Sequence, residues 1–451
     1  MRYYSTRNRS NPVGFAAAAL TGLAPDGGLF VPEEIPQYSS TARSSLGAMN
    51  FYDIAFETIK PYVVSDIPGP VLEDIVHSAY SFTAPLVETG GRLVLELFHG
   101  PTAAFKDFGA RFMARAFSYL RRGEERPLHI LTATSGDTGG AVADGFFGIE
   151  GVFVTVLYPK DRVSPLQERQ IAGLGGNITA LAVEGSFDDC QALVKAAFTD
   201  AALRKRMDLS SANSINVSRL IPQAVYYAAA AGRAITGRAD PGGEATPWDS
   251  ARLSAPRPKE VRKGGPLTVC VPSGNFGNLT AGLYAMNMGA PIQKFIAATN
   301  INRAVPDYLS SGEYRARPSL ATISNAMDVG APSNFERMTA QWSYEDLRRV
   351  IQGIGVTDDE TRDAIADVYE RWAYYLDPHT AVGWKAADKL AGNFDGGPLA
   401  VLATAHPAKF AEIVEPITGH VPIPESLKKA MDREPKALII PADIEALKEV
   451  L

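Results

Sequence analysis

The sequence predicts an α/β protein built on doubly wound, mostly parallel sheets, with a helical region at its N-terminus. Two observations carry this. Short apolar, β-rich runs alternate with helical stretches, and that alternation is the signature of parallel strands joined by crossover helices. Three of the runs also end in loops of small and hydroxylated residues, two of which open a helix. With 451 residues and 46% hydrophobic content, the chain can bury a large core divided over two or three domains.

The expected strands are 128–133, 152–158, 178–183, 267–271, 294–298 and 399–404. Residues 186–189 (Ser-Phe-Asp-Asp) have capping-box spacing before a helical run to Phe198. Residues 52–80 read as all-helical, as does the tail after Pro422. The resulting division is 1–85 as an N-terminal helical region, 86–220 as a first α/β region, 221–415 as a larger α/β region and 416–451 as a C-terminal helical extension. Within the third, 237–265 is rich in Pro, Gly, Ala and charge without apolar periodicity, and reads as a surface excursion. No internal repeat is present.

Composition excludes several classes. Forty-four basic residues against 50 acidic ones give a net charge of −6, so no basic excess draws nucleic acid or an anionic membrane. No window approaches the ~20 apolar residues of a membrane span. Arg2, Arg7 and Arg9 precede a short apolar run at 13–20, but Gly14 and the turn-like 25–28 interrupt the likeness to a signal peptide. Only Cys190 and Cys270 occur, and both read as buried free thiols. A cytoplasmic protein is expected. Six histidines without metal-ligand spacing predict no metal site.

The chemistry lies in the three loops. After the 267–271 strand comes Pro272-Ser273-Gly274-Asn275-Phe276-Gly277-Asn278. Small residues let backbone N–H groups approach a phosphate, and the following helix adds positive potential. A tight strand-to-helix turn is the alternative. After the 128–133 strand, Thr134-Ser135-Gly136-Asp137-Thr138-Gly139-Gly140 offers hydroxyls and amides to a carboxylate. Simple N-capping is the alternative there, above all for Asp137. The third loop, 98–109, sets Lys106 among Phe105, Phe108 and Phe112. Apolar surroundings disfavour the ammonium and make the amine a nucleophile suited to a Schiff base. The same lysine could instead extend its head to water or pair with Asp107. Together, a reactive lysine, a phosphate cradle and a carboxylate nest are what pyridoxal phosphate and an amino acid require.

The sequence Phe98-His99-Gly100-Pro101-Thr102, Ala104-Phe105-Lys106-Asp107-Phe108-Gly109, then Thr134-Ser135-Gly136-Asp137-Thr138-Gly139, then Pro272 to Asn278 resembles the threonine synthase family. The likeness runs from Tyr3 to the Thr404-Ala405-His406-Pro407-Ala408-Lys409-Phe410 segment and leaves out 237–265. It implies the tryptophan synthase β-like fold of pyridoxal-phosphate enzymes, shared with the serine and threonine dehydratases. It also implies a lyase that turns O-phosphohomoserine and water into threonine and phosphate, as a monomer or homodimer. By resemblance, Lys106 carries the cofactor and shuttles protons. Gly274, Asn275, Phe276, Gly277 and Asn278 hold the cofactor phosphate, and Thr404 sets a hydroxyl against the pyridine nitrogen. Ser135 and Thr138 receive the substrate carboxylate. Relatives that perform β-replacement carry Asn where this chain has Asp137. For the leaving phosphate the candidates are Lys160 and Arg162, ahead of a helix with Ser164 at N-cap and Pro165 at N1, together with Asn216 and Arg219. The alternatives are a related lyase or dehydratase with the same cofactor, or a non-catalytic pyridoxal-phosphate-binding protein. No role emerges for residues 326–330.

Overall fold

A computed structural model describes residues 1–237, 264–390, 392 and 397–451; the 237–265 excursion falls almost wholly outside them. The chain builds two parallel sheets. The larger has the order β11 (Ile351–Gly355), β10 (Ile292–Thr299), β9 (Leu267–Pro272), β12 (Leu399–Ala403), β4 (Arg92–Glu96) and β3 (Leu86–Thr89). Only β3 is antiparallel to its neighbour. It turns into β4 through Gly90 and Gly91, both at positive φ, as a two-residue hairpin of right-handed twist demands. The smaller sheet, wholly parallel, has the order β13 (Ala437–Pro441), β7 (Ile178–Glu184), β6 (Val152–Pro159), β5 (Leu128–Ala133) and β8 (Asp208–Ser211). A short antiparallel ribbon pairs β1 (Tyr3–Ser5) with β2 (Phe30–Pro32).

β5, β6, β7, β9, β10 and β12 are the six strands expected from the sequence. They form because a parallel strand covered by helices on both faces must be apolar along most of its length; β9 is buried at every residue. Short strands escape the sequence pattern in two places. Within 86–220, β3 and β4 belong to the larger sheet, where β4 pairs with β12. The tail after Pro422 is not helical throughout, because β13 lies within it and closes the edge of the smaller sheet beside β7. In both cases the strand is short, and its partner is chosen by crossover geometry rather than by nearness in sequence.

The helices Phe51–Val63 and Gly69–Ala79 fulfil the expected helical stretch and pack beside the helix Lys106–Leu120. Phe108 is the hub of this packing. Its ring lies 5.0 Å from that of Phe82, 5.3 Å from Tyr226, 5.8 Å from Tyr80 and 5.9 Å from Phe51, distances at which tilted and edge-on aromatic pairs attract. This cluster fixes the first turn of the helix that begins at Lys106.

Candidate active site

The three loops converge at the carboxyl ends of the strands. The means of convergence is the segment ahead of Lys106, which lies along the end of β12. Leu97 N–H donates to Ala403 O at 2.9 Å, Phe105 N–H to Thr404 O at 2.9 Å and His406 N–H to Ala103 O at 3.0 Å. Ala104 and Ala405 face each other across an isolated bridge. Ala103 takes a positive φ of 53° to make the bend, a conformation that costs an L-residue about 1–2 kcal/mol. Lys106 and Thr404 are thereby held on one cleft with Asp137, Arg219 and residues 274–278. A wider, open groove lies between the N-terminal loop and the helix Phe187–Thr199, and reaches this cleft at Asn275. It lacks Lys106 and the 276–278 part of the loop, which line the smaller cleft.

Lys106 is half-buried and opens onto the cleft. Burial, assisted by the positive charge of Arg219, lowers its pKa to about 8, against a smaller opposing pull from Asp137. Its Nζ sits 4.4 Å from the centre of the Phe105 ring, and no carboxylate pairs with it among the described residues. Asp107 does not serve, because it turns back: Thr102 N–H and Oγ1–H donate to its two carboxylate oxygens at 2.9 and 2.6 Å. Burial nonetheless raises the Asp107 pKa to about 6. Gly100 has no side chain because a Cβ there would lie 2.3 Å from an Asp107 oxygen.

The 272–278 loop has the form of an anion cradle. Phe276 adopts φ 59° and ψ 12°, a left-handed conformation, just before the helix Gly277–Met288, so successive N–H groups turn to one side. The N–H groups of residues 274–278 take no acceptor among the described residues. The side chains of this loop are spent on its shape. Asn278 Nδ2 donates to Pro272 O at 2.8 Å, and Asn275 Nδ2 to Ser214 Oγ at 2.6 Å. Gly274 allows the closest approach, since a Cβ there would lie 2.7 Å from Ala326 O.

The 134–140 loop differs from the expectation in one respect. Thr134, which the sequence reading passed over, accepts the N–H groups of Gly136 and Gly139 at 2.9 and 2.8 Å. Ser135 and Thr138, half-buried, keep their hydroxyls without a partner among the described residues. Asp137 is buried and paired: Lys409 Nζ lies 2.7 Å away, and Gln167 Nε2 donates at 3.0 Å. Burial would raise the Asp137 pKa, but the Lys409 charge and these hydrogen bonds outweigh it and hold the carboxyl below its usual value. Lys409, wholly buried, also donates to Thr102 O at 2.8 Å. It thus ties the end of the larger sheet to the smaller one.

The candidates for the leaving phosphate separate. Arg219 lines the cleft, buried, with its Nε lacking a partner; burial lowers its pKa to about 10. Asn216 is spent within the fold: its amide donates to Ala19 O and Ser211 O at 2.8 and 2.9 Å and accepts Ser218 N–H and Oγ–H at 2.9 and 2.7 Å. It caps the short helix Val217–Leu220. Lys160 is partly exposed and pairs with Glu184 at 3.3 Å, and Arg162 is exposed; neither lines the cleft. The helix Pro165–Ala172 behind them has the expected Ser164 cap, completed as a capping box by Gln167. Sequence reasoning also missed Ser214, Gln223 and His379, which line the cleft. No loop motif marks them.

Free amides, a depressed lysine and an unspent Thr404 hydroxyl at the far wall form a site that fits pyridoxal phosphate. Residues 88–405 match the family described as pyridoxal-phosphate dependent enzyme, which fixes the class to which fold and site belong. Residues 2–80 match the threonine synthase N terminus and 380–451 the threonine synthase C-terminal family. The chain belongs to the threonine synthase family, and is a pyridoxal-phosphate-dependent lyase. It is 42% identical to the threonine synthase of Haemophilus influenzae, over 95% of this chain and 94% of that one. The crystal structure of threonine synthase from Escherichia coli is 39% identical and superposes with a TM-score of 0.87, covering 100% of this chain and 99% of that one. A pyridoxal-phosphate-bound threonine synthase from Brucella melitensis is 35% identical at a TM-score of 0.85, with 100% and 98% coverage. No helix among the described residues is long and apolar enough to cross a membrane.

Proposed function

We propose that this chain converts O-phosphohomoserine and water to L-threonine and phosphate, with Lys106 as the amine that carries the cofactor. The observation that supports this most directly is the Lys106 amine itself, lowered to about 8 and without an ion-pair partner among the described residues. It shares its cleft with the free amides of 274–278. When bound, pyridoxal phosphate supplies an electron sink for carbanions next to its imine carbon. The rest is the work of the chain. The amides of 274–278 and the helix start grip the cofactor phosphate. Thr404 offers a neutral hydroxyl to the ring nitrogen, and such a group cannot hold that nitrogen protonated as a carboxylate would. More of the charge stabilisation therefore falls to the lysine and the buried Arg219. Ser135 and Thr138 take the substrate carboxylate.

Lys106, once released by substrate, accepts and returns protons along the substrate carbons. An amine near 8 can do both close to neutral pH. Phosphate leaves from Cγ, and water adds at Cβ. Arg219 is the leaving-phosphate candidate that lines the cleft, with Lys160, Arg162 and the Ser164 helix start as alternatives outside its lining. The same reading divides the chain into two lobes, one on each sheet, with the site between them. Two free, buried cysteines fit a reducing compartment, the cytoplasm.

Borohydride reduction of the enzyme followed by peptide mapping tests the assignment. The modified residue is expected to be Lys106, and Lys106→Ala is expected to lose turnover while keeping its fold. Label on another lysine, or release of a keto acid in place of threonine, would overturn the reading.

A further inference from the structure

One cluster at the cleft is left unused by this chemistry. The helix Pro378–Leu390 begins within Leu376-Asp377-Pro378-His379-Thr380, just after Asp377. Asp377 accepts the backbone N–H of His379 at 2.9 Å and that of Thr380 at 3.4 Å, an ordinary cap. Capping leaves further contacts unexplained. The His379 ring nitrogen Nδ1 lies 2.8 Å from the same carboxylate, and Ala326 N–H donates to Nε2 at 3.2 Å. Nε2 is therefore the acceptor and Nδ1 carries the proton. Both side chains are buried.

Ala326 belongs to the 3₁₀ turn Asn325–Met327, in the stretch to which the sequence alone gave no role. This turn is the wall facing Gly274: a Cβ on Gly274 would lie 2.7 Å from Ala326 O and 2.9 Å from Met327 Cα. The other oxygen of Asp377 accepts the Thr380 hydroxyl, and Thr380 Oγ1 in turn accepts Thr404 N–H at 3.3 Å. One carboxylate thus reaches both ends of the cleft, the phosphate cradle and the strand end at Thr404.

We propose that His379, held as its Nδ1–H tautomer by Asp377, is a positioning residue for the cofactor site. It fixes the Ala326 turn against Gly274 and so sets the width of the phosphate cradle. The inference rests on residues 274–278 holding the cofactor phosphate. It does not require His379 to touch substrate.

The test is pyridoxal-phosphate affinity of the apoprotein, measured by equilibrium dialysis, for His379→Gln and His379→Leu. Glutamine can still accept the Ala326 N–H through its amide oxygen; leucine fills the space without an acceptor. A lost buried hydrogen bond predicts roughly tenfold weaker cofactor binding for His379→Leu and near-parental binding for His379→Gln. Parental affinity in His379→Leu overturns the proposal. So does equal loss in both variants, since His379 would then act only by filling space. Should His379→Leu fail to fold, Ala326→Pro removes the donor from the other side: weakened binding supports the proposal, and parental binding overturns it. Failure of the underlying reading shows separately, as borohydride label away from Lys106.

Discussion

Single residues at this site are tuned by opposite charges placed on either side of one amine. Burial and Arg219 depress Lys106 and Asp137 opposes them. In the apoprotein, the rate of trinitrophenylation at Lys106 is expected to rise with a midpoint near pH 8, and Arg219→Met is expected to move that midpoint upward. An unmoved midpoint would mean that the guanidinium does not act on the amine. The sign for stability follows. Lys106 has its ordinary value of 10.5 when unfolded and about 8 when folded. Its burial is therefore costly below pH 8, and the cost fades between pH 8 and 10.5. Asp137 runs the other way: its pairing contributes stability above the ordinary carboxylate value of 3.8 and loses it as pH falls through the lower folded value. Lys409→Met should cost about 3–5 kcal/mol in urea unfolding, because it strands a buried carboxylate. Adding Asp137→Asn to that variant should recover part of the loss. A double variant no more stable than the single one would show that the pair is not the source.

At the scale of elements, the cradle depends on close backbone approach. Gly274→Ala is expected to weaken cofactor binding at least tenfold while leaving the apoprotein's melting temperature within a few degrees, as the Ala326 turn must retreat from a contact of 2.7 Å. Calorimetry and dialysis on the same preparation separate the two effects. Elements of this kind were legible in the sequence to different degrees. β9 and β5 could be read because burial on both faces leaves a mostly apolar, β-rich run, and the loops after them because helix starts need caps and small residues. β11, Ile-Gln-Gly-Ile-Gly, could not, since two glycines and a glutamine give it no strand pattern. His379 and the Ala326 turn were hidden for a different reason. Their meaning lies in a contact between segments 53 residues apart, and neither segment has a loop motif of its own. The bonds of Asn216 were equally hidden, since its amide caps a short helix and holds Ala19 and Ser211, far from it in sequence or marked by no motif.

For the whole molecule, the tail is structural. β13 closes the smaller sheet, and Ile440 and Leu447 are buried with Leu181, Val183 and Cys190. Removing residues 437–451 should cost about 3–6 kcal/mol from these two side chains alone, together with the exposure of the β7 edge. A truncated chain that melts with the parent would show that the tail is dispensable.

The zip between Ala104 and Ala405 also has a consequence for the chain's birth on the ribosome. The nucleophile emerges well before the strand end that bends its loop into place, since about 300 residues separate the two. A nascent polypeptide halted before β12 can have no vitamin-derived group seated in its finished geometry. Loading in the finished geometry must therefore wait until β12 has been made.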